Sequence, residues 1–144
     1  MGDARLRVDL FIVEDGDAGR FAAGAGGRGD GDERREIADS IKTNAIDNLL
    51  ILCGDAHMCA VDDGSNAAYA ANGGGAPLAV LHGSSLDRSS SFKGGPYSHG
   101  WYLPKRNEGC FGWVEVNDDG TNIRVDFSAR NQRDVVRMQF SVEV

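Results

Sequence analysis

The chain has 144 residues, a net charge of −7, 26% charged residues and 41% hydrophobic ones. That length suits a single domain, the acidic balance argues against a nucleic-acid or anionic-membrane partner, and no run approaches the ~18 consecutive apolar residues of a membrane span. Glycine is the outlier: the 20 glycines are about twice the average usage of ~7%, without the period of collagen, so long loops or tight backbone passages are expected.

The opening MGDARLRVDLFIVEDG is a poor secretory leader, since its apolar patch is short and broken by Asp9. It leaves the compartment undetermined. The three cysteines, Cys53, Cys59 and Cys110, are an odd and sparse set and do not make a disulfide scaffold.

In chain order, residues 5–13 (RLRVDLFIV) have the β-branched and aromatic content of a short strand. Residues 14–32 are glycine-rich and carry almost nothing that packs, so residues 1–32 are read as a poorly structured segment. A helix is predicted next: Asp30 and Glu33 form a capping-box-like pair, Ile37, Ala38, Ile41 and Ala45 make one apolar stripe, and Asn44 or Asn48 stops it. Leu49 to Cys53 is an unbroken apolar run, the pattern of a strand covered on both faces. Residues 62–76 read as a loop and 78–81 (LAVL) as a second buried strand; a long polar stretch, HGSSLDRSSSFKGGPYSHG, follows. The last third alternates. Val114 and Val116, then Ile123, Val125 and Phe127, then Met138, Phe140, Val142 and Val144 predict an antiparallel meander, with a turn at Asp118-Asp119-Gly120 and a polar break over 130–134.

Three motifs carry possible chemistry. Gly24-Ala25-Gly26-Gly27-Arg28-Gly29 satisfies a dinucleotide fingerprint, but it stands too far behind its strand and among Asp15, Asp17, Asp30 and Asp32, whose charges repel a pyrophosphate. The adhesion-like tripeptide Arg28-Gly29-Asp30 is dismissed as a product of the same composition. Gly54-Asp55-Ala56-His57 leaves a buried strand at its carboxyl end, where open α/β sheets bind ligands. In extended backbone Asp55 and His57 project to one side and converge on a metal ion. The alternative is a turn-capping aspartate beside an ordinary loop histidine. Arg88 and Lys93 could hold a phosphate ester from a hydroxyl-rich loop, or belong to a solvated one. His82 and His99 read as structural or surface histidines, Cys53 as a packing residue, and Cys59 as a packing residue or a soft ligand.

The motifs ERREIA, NLLILCGDAHM, LDRSSSFKGGPYS and the closing hairpin WVEVNDDGTNIRVDF, taken in order, resemble the carboxyl-terminal part of the PhoD-like metallophosphatases (alkaline phosphatase D), over residues 33 to about 142. The resemblance implies an α/β fold: the carboxyl-terminal part of a calcineurin-like sandwich of sheets flanked by helices, closed by the antiparallel meander, with 33–144 as that portion of the domain. It implies hydrolysis of phosphate esters, in which a metal pair (Fe, Ca, Zn or Mn) polarises the phosphoryl group and supplies the nucleophile. Asp55 and His57 fall on the family's metal-binding element, and Arg88 and Lys93 on positions open to substrate-side cations. The family's other metal ligands lie upstream of the helix, where these 32 residues hold no such element. The expectation is therefore a partial dimetal site, completed by a chain supplying the amino-terminal half, and little or no turnover by the chain alone. A truncated or degenerate non-catalytic binding module is the competing expectation.

Overall fold

The fold comes from a computed structural model. It describes residues 9–13, 30–46, 49–54, 56–66, 70–71, 78–87, 89–92 and 94–143, with the backbone alone for 9–13 and 30–33. The glycine-rich stretch 14–29, with its dinucleotide-like motif, lies outside them.

The elements are β1 (Asp9–Val13), α1 (Asp30–Thr43), β2 (Leu49–Cys53), β3 (Cys59–Asp62), β4 (Ala79–Ser85), β5 (Trp101–Tyr102), β6 (Cys110–Asp118), β7 (Ile123–Asn131) and β8 (Val136–Glu143). They build one eight-stranded sheet along the path β1-β2-β4-β6-β7-β8, with β3 on β4 and β5 on β3. Only β1–β2 and β2–β4 are parallel; the other pairings are antiparallel.

The expected α/β sandwich is overturned. The sheet is mostly antiparallel, α1 is the one helix among the described residues, and the sheet curls towards a nearly closed barrel. The two ends of the curl meet at β5 and β8, where the Arg137 guanidinium lies 5.7 Å from the centre of the Tyr102 ring. The physical reason lies in what covers β2 and β4. On one face, Ile51, Cys53, Leu78 and Val80 pack against Ile41 of α1. On the other, Leu50 and Ala79 pack against Ile123 and Val125 of the meander, and Leu52 and Leu81 join Cys59, Val61, Cys110, Phe127, Ala129 and Phe140. The unbroken apolar run is thus buried on both faces as expected, but the chain's own antiparallel strands take the place of a second helical layer.

Helix α1 buries Ala38 and Ile41 and leaves Ile37 exposed; burying the isoleucine contributes roughly 2 kcal/mol. Its end is a Schellman cap. Ala45 takes a left-handed φ of 50°, its N–H bonds to the Lys42 carbonyl at 3.2 Å, and the Ile46 N–H bonds to the Ile41 carbonyl at 3.0 Å. Ile46 then packs on the cluster that holds Ile41. No helix among the described residues is long and apolar enough to cross a membrane.

The meander forms where alternation placed it. Ile123, Val125, Phe127 and Phe140 point inward and are buried, while Val116 is exposed. The β6–β7 turn is held by carboxylates: Asp118 accepts the Gly120 N–H, and Asp119 accepts those of Thr121 and Asn122, each at 2.8 Å. Gly120 supplies the positive φ of 85°. In the β7–β8 turn the buried Asn131 side chain accepts the N–H groups of Arg133 and Val135 at 3.0 Å. The barrel narrows where Gly83 of β4 meets Gly112 of β6: a side chain on Gly112 would stand 2.6 Å from the Phe127 ring and 3.1 Å from the Gly83 Cα.

Candidate metal centre at the His57 turn

Strand β2 lies between β1 and β4 and delivers its carboxyl end to a tight turn that reverses the chain into β3. The Ala56 N–H bonds to the Gly54 carbonyl at 2.6 Å. His57 itself is left-handed, with φ of 56°, a conformation that costs a β-carbon-bearing residue about 1 kcal/mol. Gly54, by contrast, has no positive φ, and a β-carbon there would meet nothing. The strained residue is the histidine, not the glycine before it.

This corrects the spacing argument. The backbone from 56 to 58 is bent and not extended, so alternation does not decide which way the His57 side chain projects relative to residue 55. Asp55, Arg88 and Lys93 lie outside the described residues. Of the four expected site residues, His57 is the one whose surroundings are described.

Those surroundings fix its imidazole. The ring Nδ1 is 3.0 Å from the Ser89 carbonyl. A carbonyl only accepts, so Nδ1 carries the proton, and the neutral ring then keeps its lone pair on Nε2. The same loop grips the turn twice more: the Ser91 N–H bonds to the His57 carbonyl, and Ser91 Oγ to the Ala56 carbonyl, both at 3.3 Å. A carbonyl orienting one ring nitrogen while the other faces a metal ion is the usual support for a histidine ligand. The serine run that provides it read only as a polar stretch in the sequence, because backbone carbonyl partners leave no side-chain signature.

The far end of this loop is fixed by Asp62 at the end of β3. Its buried carboxylate accepts the N–H of Gly64 (2.9 Å), the amide of Asn66 (2.7 Å) and the N–H of Ser98 (3.0 Å). Ser98 Oγ accepts the Asp63 N–H at 2.8 Å. The segment from Ser89 to Gly100 is therefore strapped along the β2–β3 reversal at both ends.

The other candidates have structural surroundings. His82 is fully buried, with Nδ1 3.0 Å from Cys53 Sγ and its ring 5.6 Å from that of Tyr97, edge to face. Burial pushes the Cys53 thiol up to about 12 and the His82 imidazole down to about 4. The pair is accordingly a thiol beside a neutral imidazole, not an activated thiolate. Cys59 is not at the turn's surface but inside the barrel, fully buried, its thiol directed with that of Cys110 at the Ser84 carbonyl. The neighbouring Cys110 thiol and burial push its pKa up and hold it protonated. His99 is exposed and pairs with Asp63 at 3.0 Å, its ring 4.6 Å from that of Phe140.

Among the described residues, no three or more His, Cys, Asp or Glu side chains converge as a set that could hold a metal ion. His57 fits the part of one ligand, and the described residues do not fit a metal pair. Compared with family models, curated proteins and solved structures, the chain matches none.

Proposed function

We propose that the chain contributes the Asp55/His57 side of a metal-dependent phosphate-ester hydrolase, with the remaining metal ligands supplied by protein outside these residues. The proposal rests on the PhoD-like motifs of the sequence and on one observation, the Ser89 carbonyl on Nδ1 of His57, which presents Nε2 as the donor. It does not rest on the fold, which departs from the sandwich the resemblance implied. A bound di- or trivalent ion would supply Lewis-acid polarisation of a phosphoryl group. The chain's own part is to orient the imidazole through the 89–91 loop. On this reading Arg88 and Lys93, from the same loop region, are the cations that meet the ester's charge.

The test is metal content by elemental analysis of the purified chain beside the Asp55→Ala/His57→Ala double variant, with phosphate-ester hydrolysis assayed in parallel. About one equivalent of transition metal, lost in the variant, is expected, with little or no turnover by the chain alone. No metal in either protein would overturn the ligand assignment and favour a non-catalytic binding module. Hydrolysis that vanishes in Asp55→Ala would show that the site needs no second chain.

A further inference from the structure

The outward face of the meander holds a depression of about 350 Å³, on the side of β6–β8 away from the core. The register lays its side chains in rows across three strands: Trp113, Ser128 and Gln139 form one, and Glu115, Asp126 and Ser141 the next. Trp113 stands in mid-strand yet is 55% exposed, leaving a large flat ring on a sheet face that is otherwise polar.

The polar groups round the ring are held in place in advance. The Arg130 guanidinium lies over one face of the Trp113 ring, 5.7 Å from its centre, with Nε on Ser128 Oγ (2.9 Å) and Nη1 on Asp134 (2.7 Å). Asp126 is fixed by Arg124 (2.9 Å), Asn117 (3.1 Å) and the Ser141 hydroxyl (2.5 Å). Glu115 and Gln139, in contrast, have no side-chain hydrogen bond among the described residues and keep donors and acceptors for a ligand.

The charges choose the ligand class. Two carboxylates, Glu115 and Asp126, and two guanidiniums, Arg124 and Arg130, line the depression. Arg124 is paired with Asp126 and Arg130 with Asp134, so an anion would meet the uncompensated Glu115 and a cation would compete with two guanidiniums. A neutral ligand dense in hydroxyls is matched by all of them, together with the Gln139 amide. An aromatic platform adds a demand for a flat C–H face, and among hexopyranoses β-glucose, with every hydroxyl equatorial, is the flattest. We propose that this face binds a neutral β-linked glucan, one pyranose ring stacked on the Trp113 face that Arg130 does not cover and its hydroxyls bonded to Glu115 and Gln139. The proposal is independent of the His57 site.

Isothermal titration with cellotetraose tests it. Expected is a Kd on the order of 10⁻⁴–10⁻³ M, weakened about tenfold or more by Trp113→Ala. Gln139→Ala should weaken binding less, and Trp101→Ala, which removes an equally exposed ring elsewhere, should leave it unchanged. All three side chains are exposed, so the variants should fold, which far-UV circular dichroism checks. Because the ligand is neutral, raising salt from about 0.05 to about 0.5 M should move Kd less than about twofold. Absence of binding up to about 10 mM cellotetraose overturns the proposal, as does binding that survives Trp113→Ala or is lost in Trp101→Ala.

Discussion

His82 makes the stability of this fold depend on acid in a way that can be calculated. Its imidazole is fully buried beside Cys53 and the ring of Tyr97, and burial lowers its pKa from 6.5 to about 4. Above 6.5 the ring is neutral in both folded and unfolded chains, and stability is undiminished. As pH falls below 6.5 the unfolded chain takes up a proton that the folded chain refuses, so stability drains away until the folded ring itself protonates near 4. At about 1.4 kcal/mol per tenfold change, the drop amounts to about 3 kcal/mol, a large part of the 5–15 kcal/mol typical of a domain. The perturbation is His82→Gln, which fills the site with a polar group that does not titrate. Urea unfolding followed by far-UV circular dichroism would be run on both proteins at several values from about pH 7.5 to about 4.5. Every other titrating group is shared, so the difference between the two proteins isolates His82. Wild type should lose about 2–3 kcal/mol more than the variant over that range. A difference that stays constant within about 0.5 kcal/mol would refute the argument that burial opposes protonation here.

Ala45→Gly should stabilise the chain by about 1 kcal/mol, because the left-handed cap residue of α1 carries a β-carbon that glycine lacks; a lower urea midpoint would count against the cap. Gly112→Ala should destabilise by about 1–3 kcal/mol, since its new carbon meets the buried Phe127 ring on one side and the Gly83 backbone on the other. An unchanged melting temperature would mean that β4 and β6 are not so closely apposed.

What the sequence made legible was local. The alternation through Ile123, Val125 and Phe127 identified the meander, and the Ala38/Ile41 stripe identified α1, because each pattern is written in consecutive residues. Strand β3 escaped notice: Cys59-Ala60-Val61-Asp62 is four residues long, follows a turn directly, and owes its place to pairing with β4. β5 has two residues and exists only because β3 offers an edge. The fold class failed at the same level. Leu49–Cys53 shows that two faces are covered but not what covers them, and helices and strands bury leucine equally well. At the candidate site, the Asp-x-His spacing could be read, but the left-handed backbone of His57 and its carbonyl partner 32 positions away could not.

The way the meander roofs β2 and β4 also sets an order of assembly. β6, β7 and β8 are joined by turns of a few residues, so their pairing closes short loops and needs little chain entropy. The parallel partners of β2 stand far along the chain on both sides, and the contact between β5 and β8 joins two ends of the sheet. Local hairpins therefore come first, and the circle closes late. The strap that orients His57 joins the β2–β3 reversal to residues 89–98, 32 to 36 positions along the chain. It is a contact between loops and lies outside the strand ladder, so local opening of the 89–100 segment would disarm the turn while the meander stays paired.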